Sequence, residues 1–479
     1  MVYGDYDADG VCGAAILWEI LHRLGAKVMP YIPHRVEEGY GLSQKGIDFL
    51  KQEYNVDLIL TVDHGIGSLE KIEYCQKLGI DVIITDHHVA SKKRPKALAI
   101  VHTTNLCGTG VAWMLAREIA KDKLKIEDYL DLVAIATVAD MVSLTGTNRI
   151  LVKYGLEKLR KTQRLGLNAL IKEAQVNKEK ISVYDISHVL APRLNAMGRL
   201  THALDALRLL CTKDEDKARS LARELEVTNR DRQKLMEETI LHAEDLLKKQ
   251  MGISPLDAHL LYISHRSYNQ GIIGLVAGRL VEKFYRPSVV IAEGEVYSKG
   301  SARSINGFNI IETIRKAEDL LIDAGGHPMA AGFTIETRNL KLFKKRLTEI
   351  ADQELDEEKL TRVLKFDCEI SLKVLNFELF EKLTQFTPFG LGNPEPVFVS
   401  RHVLVKEAKK IGADGKHLRL LITQNSLPIT ISAVAFGLGD FFTKLSMEQK
   451  IDIAYTLSVD EWQGQKRLDL KIKDIKLED

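Results

Sequence analysis

Three short runs near the start of the chain concentrate groups able to hold divalent metals: Asp5-Tyr6-Asp7-Ala8-Asp9-Gly10, Thr61-Val62-Asp63 and Thr85-Asp86-His87-His88. A further acid, Asp140, follows the apolar run 132–138. Phosphodiester hydrolysis needs a nucleophile strong at neutral pH and a sink for charge on the phosphoryl oxygens. Two metal ions about 3.5–4 Å apart supply both. Mn2+ and Mg2+ favour carboxylate oxygens, and Mn2+ also accepts imidazole. Asp7 and Asp9, two apart at a strand-to-helix turn, can point into one cavity. Asp63 suits a bridging position, His87 offers a nitrogen, Asp140 comes from another element, and His88 could face a substrate. A metal-dependent phosphoester hydrolase is the first expectation.

Each run alone has an ordinary reading. Asp-rich turns are usually solvated caps, and adjacent histidines are common on surface loops. Asp5–Gly10 also starts like an EF-hand loop, but the position that needs a bidentate Glu is Ile16, and no helix precedes the run. What weighs is the combination in order, each piece where a strand would end.

The elements that would position these groups are legible. Val56–Val62, Val82–Thr85 and Ala97–Val101 predict strands, while Gly13–Leu24, Gln44–Tyr54 and Leu69–Leu78 show the three- and four-residue apolar spacing of helices. Strand–helix alternation predicts a parallel sheet covered on both faces, with ligands at the carboxyl ends of strands. Residues 128–174 read as helical with a polar break at Ser143–Asn148. From Arg199 to Met251 there is neither Gly nor Pro. A helix capped by Thr212 or Asp214 and running to about Gln250 would span about 50 Å, as a spacer between two lobes.

A second strand–helix region follows, with strands at Ala258–Ile263 and Ser288–Ile291 and a helix at Gly274–Phe284. Residues 341–360 predict a charged helix and a boundary. Beyond it, short runs at Val363–Phe366, Val397–Val399, Leu418–Ile422, Thr430–Phe436, Ile451–Leu457 and Leu468–Ile472 predict a small β barrel or sandwich.

The bulk numbers agree. A chain of 479 residues exceeds one ordinary core and suggests roughly three domains. Its 45% hydrophobic and 28% charged residues are those of a soluble globular protein. No apolar run approaches the ~20 residues of a membrane helix, and no basic leader with an apolar core opens the sequence. Five scattered cysteines without a CxxC pair argue against a zinc ribbon or disulfide framework and suit a reducing cytoplasm. A net charge of +1 leaves any attraction for a polyanion to a local basic groove.

Gly4–Gly10, Thr61–Asp63, Asp86-His87-His88 and Thr137-Val138-Ala139-Asp140 resemble the four motifs of the DHH phosphoesterase superfamily. Gly325-Gly326-His327-Pro328-Met329-Ala330-Ala331-Gly332 resembles the signature of the DHH-associated domain. Pro192–Arg199, Gly300-Ser301-Ala302-Arg303-Ser304 and Pro388–Pro394 narrow the resemblance to the RecJ branch, whose members are single-strand-specific 5′→3′ exonucleases. The resemblance implies an α/β protein in four parts: a parallel-sheet DHH catalytic domain (1–200), a connecting helix (201–252), a smaller α/β DHH-associated domain (253–360) and a C-terminal OB-like barrel (361–479). It implies that Asp7, Asp9, Asp63, His87 and Asp140 hold two Mn2+ or Mg2+ ions and that His88 contacts the scissile phosphate, with Asp63 and Arg303 joining it in catalysis. Arg303 and Ser301 would hold a 5′-terminal phosphate or the adjacent backbone, with Arg35, Arg199, Arg279 and His327 as further contacts. The expected substrate is single-stranded DNA, with a role in repair and recombination. The protein would be cytoplasmic, away from any membrane and monomeric, with a helicase and a single-strand-binding protein as possible partners. Phe436, Phe441, Lys416, His417 and Arg419 are candidate strand contacts on the barrel, and the Pro388–Pro394 turn reads as structural.

Three departures from the family pattern stand out. Many superfamily members carry a His where this chain has Tyr3, a poor ligand, so one metal would be held weakly, or Asp5 or water would substitute. The sequence starts six residues before Asp7, so either the first strand is stunted or the true start lies upstream. The segment Val101–Val111 is short. Two alternatives stay open: a superfamily phosphoesterase for short oligonucleotides or small nucleotides, and a non-catalytic DNA-binding relative.

Overall fold

The computed structural model describes residues 1–251, 254–424, 430–462 and 465–478. By contacts the chain divides into two units, Met1–Val142 with Tyr154–Arg362, and Ser143–Lys153 with Val363–Asp479.

The first unit opens with a parallel sheet. Its elements are β1 (Val2–Tyr3), α1 (Ala8–Arg23), β2 (Pro30–Tyr31), α2 (Gln44–Tyr54), β3 (Leu58–Val62), α3 (Leu69–Lys77), β4 (Asp81–Asp86), β5 (Ala99–His102) and α4 (Gly108–Ala120). Strand order is β2-β1-β3-β4-β5, every pairing parallel. β1 is only two residues long, yet Val2 and Tyr3 are fully buried. Tyr3 packs with Leu42, Ile47 and Ile59 in the core beneath the sheet. Helix α1 starts where Asp7 accepts the Asp9 and Gly10 N–H groups, a side-chain cap that fixes the metal-rich turn.

Helices α5 (Leu130–Ala139), α6 (Gly146–Arg160), α7 (Leu165–Glu173), α8 (Val183–Asp185), α9 (Ala191–Leu200) and α10 (Leu204–Cys211) follow, α8 passing into α9 through a π turn at Ile186–Leu190. The break between α5 and α6 falls at 140–145, slightly earlier than its sequence position suggests. Helix α11 (Glu215–Met251) runs 37 residues. Asp214 caps it, accepting the Lys217 N–H at 2.9 Å. It packs against α7 and α9 on one side and α12 (Ile273–Phe284) and β6 (Leu261–His265) on the other, so it is a shared wall as well as a spacer. The boundary expected at 252–253 lies outside the described residues.

The second sheet adds β7 (Ser288–Ala292), β8 (Tyr297–Arg303), α13 (Ile310–Arg315), β9 (Leu321–His327), β10 (Ala330–Glu336) and α14 (Leu340–Glu354). Its order is β6-β7-β8-β10-β9, with β6–β7 parallel and the rest antiparallel. Ser301 and Arg303 lie two apart on β8, so they share one face. Gly325–Gly332 forms a β9–β10 hairpin, with His327 exposed at its tip.

The second unit contains β11 (Cys368–Glu369), α15 (Phe377–Thr384), β12 (Phe398–Ile411), β13 (His417–Thr423), β14 (Ile431–Ala435), β15 (Lys450–Trp462) and β16 (Gln465–Leu477). Strands β12-β13-β14-β16-β15 close into a barrel through the β12–β15 pairing. Val403, Val405, Leu418, Leu420, Ile453 and Leu470 fill it. Val363–Phe366 is not a strand, because pairing with β12 begins only at Cys368. Residues 143–153 join this unit: the Leu144 N–H donates to Leu391 O at 2.6 Å, and Arg149 Nη2 donates to Gln385 O at 3.1 Å. The Pro388–Pro394 turn is thus a docking point for that segment, braced by Asn393 Nδ2 donating to Phe386 O and Pro388 O.

Candidate metal centre and guanidinium cluster

Five acids and two histidines converge at the carboxyl ends of β1, β3 and β4. Asp9 is almost completely buried and receives two amides from the start of α4, Gly108 N–H at 2.7 Å and Thr109 N–H at 2.6 Å. The helix dipole adds to this hold on a carboxylate. Asp63 sits at φ +68°, a left-handed conformation that Asp tolerates better than most residues and that turns its side chain into the cluster. A side chain at Gly108 would run into the Asp63 carboxylate, so glycine is required there. His87 Nε2 lies 3.1 Å from Asp63 Oδ1, 3.6 Å from Asp140 Oδ2 and 3.9 Å from Asp9 Oδ2.

Asp5, Asp7 and Asp63 form a second set, and Asp9, His87 and Asp140 a first, each with one ligand atom per residue within 4.8 Å of the others. Asp63 also groups with His87 and His88, so it is the residue common to both ends of the cluster. Four buried atoms here have no hydrogen-bond partner: Asp5 Oδ1, Asp63 Oδ1, His87 Nε2 and Asp140 Oδ2. Buried acceptors are ordinarily satisfied, and four orphans in one cluster fit divalent cations. The electrostatics agree. Burial, and then the charges of neighbouring acids, push the carboxyls of Asp5, Asp7 and Asp63 upward and that of Asp140 up to about 9. Burial lowers His87, which keeps its ring neutral for donation.

Tyr3, at the position of the superfamily His, points elsewhere. Its ring packs on Tyr31 and His64, with centroids 4.8 and 5.2 Å away. The oxygen on that side able to serve as a ligand is Asp5 Oδ1, which groups with Asp7 and Asp63.

His88 is held by Asp86. Asp86 Oδ1 lies 2.8 Å from His88 Nδ1 and also accepts the His87 and His88 N–H groups, while Oδ2 accepts the Ile66 N–H. Burial alone would raise Asp86, but the His88 ring and the backbone donors hold it well below the usual carboxylate range. In return Asp86 raises His88 against the effect of burial. The Tyr40 hydroxyl donates to Asp63 O at 2.7 Å and lies 3.1 Å from His88 Nδ1. The Asp86 and Tyr40 contacts were not readable from sequence, since no spacing reveals which buried acid orients a ring.

The cations gather separately. Arg303 Nη1 donates to Ser301 Oγ at 3.1 Å and Ala302 O at 2.8 Å. Gly274, in the first turn of α12, faces both: a side chain there would come within 3.0 Å of Arg303 Nη2 and Ser301 Oγ. Arg199 donates to Gly271 O at 3.0 Å, and Arg35 lies 4.7 Å from the Tyr6 ring centroid. Burial, then the neighbouring guanidinium of Arg35, lower Arg303. The Pro192–Arg199 run also braces the acid turn: Asn195 Oδ1 accepts the Ala8 N–H at 2.7 Å, and a side chain at Gly198 would strike the Tyr6 carbonyl. Arg279 stands outside this group, exposed on α12 and paired with Glu282 at 2.6 Å.

On the barrel, Lys409, Arg419, Ser432, Arg467 and Asp469 line an outer groove of about 730 Å³. Phe436 is exposed and meets His417 edge-on, whereas Phe441 packs against the barrel core. Lys416 pairs with Asp414.

Residues 1–137 match the N-terminal domain of the DHH family, 257–353 the DHHA1 domain and 366–474 the RecJ OB domain. The chain is 36% identical to the single-stranded-DNA-specific exonuclease RecJ of Bacillus subtilis over 99% of its own length, spanning 61% of that relative. It is 32% identical to the protein of that name from Salmonella typhimurium, over 99% of this chain and 87% of the relative. The crystal structure of RecJ from Thermus thermophilus in complex with Mn2+ superposes with a TM-score of 0.85 at 32% identity, covering 100% of this chain and 69% of that one. The Mg2+ complex gives 0.77 at 30% identity, covering 67% of that chain. The chain belongs to the RecJ family, built from DHH, DHHA1 and OB domains.

Proposed function

We propose that this protein is a single-stranded-DNA-specific 5′→3′ exonuclease that releases mononucleotides by two-metal hydrolysis. The observation that carries the reading is the set of four buried ligand atoms without a hydrogen-bond partner, Asp5 Oδ1, Asp63 Oδ1, His87 Nε2 and Asp140 Oδ2, near which Arg35, Arg199 and Arg303 form no ion pair with a carboxylate among the described residues. Two Mn2+ or Mg2+ ions, when bound, supply a strong nucleophile at neutral pH and draw charge from the phosphoryl oxygens. Asp9, His87 and Asp140 would hold one and Asp5 and Asp7 the other, with Asp63 shared.

The protein's own groups do the rest. Asp86 holds the His88 ring in place and favours its protonated form, so that it can meet negative charge on the scissile phosphate. Arg303, Ser301 and the first turn of α12 take the 5′-terminal phosphate, where a guanidinium, a hydroxyl and helix amides converge. Arg35 and Arg199 line the same seam, His327 at the tip of the β9–β10 hairpin is a further candidate contact, and Arg279, paired with Glu282, stands outside the group. The OB barrel is a further surface for binding a single strand. No helix among the described residues is long and apolar enough to cross a membrane. The same reading places the protein in the cytoplasm as a monomer acting in repair and recombination, with a helicase and a single-strand-binding protein as partners.

The test is Mn2+-dependent release of mononucleotides from a 5′-phosphorylated, 3′-labelled single strand, with duplex DNA and Asp63→Ala alongside. Shortening from the 5′ end is expected, absent on duplex and reduced roughly a thousandfold or more in the variant. Failure on DNA with activity on dinucleotides would replace the reading by a small-substrate phosphoesterase.

A further inference from the structure

Arg232 lies midway along α11, in the helix that sequence reasoning reads as a spacer. It is 9% exposed, and its hydrogen bonds go to one neutral atom, Asn229 Oδ1, from Nε at 3.2 Å and Nη2 at 2.9 Å. Asn229 is itself buried. Among the described residues Arg232 has no ion pair with a carboxylate. The acid one turn and a half away, Glu226, is already taken by Arg193 and Arg230, each at 2.6 Å. The charged neighbours of Arg232 are the guanidiniums of Arg193 and Arg279. Arg199 in turn is pushed down to about 10, by burial first and then by Arg35 and Arg232, with only Asp7 opposing ahead of a further push from Arg303.

A buried cation without a counter-ion costs several kcal/mol unless something of opposite charge arrives. A purely structural arginine would be expected to keep an acid. Here Arg35, Arg199, Arg232 and Arg303 come from the first lobe, the connecting helix and the second sheet, and their hydrogen-bond or ring partners among the described residues are neutral oxygens or an aromatic face. We propose that Arg232 binds a backbone phosphate of the DNA strand, with Asn229 as the residue that positions its guanidinium, so that α11 forms part of the binding floor. This rests on the exonuclease reading above. Arg303 and Ser301 are assigned the terminal phosphate there, so Arg232 serves an internal one, further along the strand.

The experiment measures binding of the full chain, without metal, to fluorescent single strands by anisotropy from 50 to 300 mM salt, for wild type, Arg232→Met and Arg232→Lys. A lost phosphate contact lowers the slope of log K against log salt by about 0.7 on single strands. Arg232→Met is expected to show that drop and at least tenfold weaker binding, equally on 5′-phosphate and 5′-hydroxyl strands. Arg232→Lys is expected to keep the slope and part of the affinity. In the free protein Arg232→Met is expected to melt at the same temperature or higher, because it removes an uncompensated charge. An unchanged slope, or a lower melting temperature with unchanged binding, would overturn the assignment and make Arg232 structural. An effect confined to 5′-phosphorylated strands would overturn the internal-phosphate assignment. Wild-type protein that does not bind single strands at all would instead count against the exonuclease reading.

Discussion

The two sheets of the first unit carry opposite imbalances. The parallel sheet β2-β1-β3-β4-β5 ends in buried carboxylates with too few donors, and four of the ligand atoms there have no partner. Beside the mixed sheet β6-β7-β8-β10-β9, Arg199, Arg232 and Arg303 form no ion pair with a carboxylate among the described residues. Nothing obliges a protein to keep these charges apart, since pairing them would relieve both. Arg35 and Arg199 lie near enough to temper Asp5 and Asp7 but form no ion pair with them, which is the arrangement the proposed function requires: divalent cations for the acids and phosphates for the arginines. A third buried network shows what this chain does when charge serves stability. Arg164 is held by Glu19 at 2.9 Å, lies 3.5 Å from Asp131 and covers the Tyr129 ring at 5.0 Å.

That contrast is easiest to break at Arg164. Replacing it by Met strands Glu19 and Asp131, both buried, and is expected to destabilise the protein by about 3–5 kcal/mol. Urea unfolding reads the loss, and kcat of the folded fraction should be unchanged, since the network touches no ligand atom of the metal centre. A neutral Arg164→Met would erase the distinction between paired and unpaired buried charge on which the two-sheet comparison stands.

Arg303→Gln probes the cation side with a smaller effect. It removes a charged donor while keeping a polar group of similar reach, and charged hydrogen bonds are worth about 1.5–3 kcal/mol. KM for a 5′-phosphorylated strand is therefore expected to rise roughly 10- to 150-fold with little change in kcat. Its melting temperature without DNA should hold, the opposite pattern to Arg164→Met. Equal losses on 5′-phosphate and 5′-hydroxyl strands would move Arg303 away from the terminal phosphate.

The acid half of this comparison was more legible in the sequence than the cation half. Asp7, Asp9, Asp63 and His87 stood out because parallel sheets gather ligands at strand ends and their motifs followed an apolar run or opened the chain, whereas Asp140 ends helix α5 and stood out only as an acid after the apolar run 132–138. Asp5 was visible only as a substitute for the missing His, because the direction of Tyr3 is decided by its packing on Tyr31 and His64. The cradle of Asp9 by Gly108 and Thr109 joins residues about a hundred apart, and no local pattern encodes it. The cations were harder for a second reason. Lys299-Gly300-Ser301 has low strand propensity, so nothing in the sequence announces β8 as a strand. Gly300 is there because a side chain would collide with the Phe333 ring, a tertiary requirement that outweighs propensity. Arg232 was invisible for the same kind of reason: on a charged helix, a buried arginine looks like the exposed ones around it.

The acid side has its own signature in pH, the smallest of these effects. Asp140 titrates near 3.8 in the unfolded chain and is pushed up to about 9 when folded, by burial first and then by Asp9 and Asp7. Between those values the folded state holds the extra proton, so this group's contribution to stability is lost as pH rises toward 9. Asp5, Asp7 and Asp63 shift the same way. His64, lowered by burial to about 4, is neutral in both states above pH 7 and does not oppose the trend. The metal-free protein is thus expected to lose a few degrees of melting temperature between pH 7 and 8.5. Mn2+ must displace those protons, so the stabilisation it brings should grow over the same interval and offset the fall. Asp140→Asn should flatten the metal-free slope and melt higher than wild type at pH 8.5, while gaining less from Mn2+. A metal-free protein that grows more stable from pH 7 to 8.5 would mean that the acids are already compensated within the fold, and the contrast between the two sheets would then rest on the arginines alone.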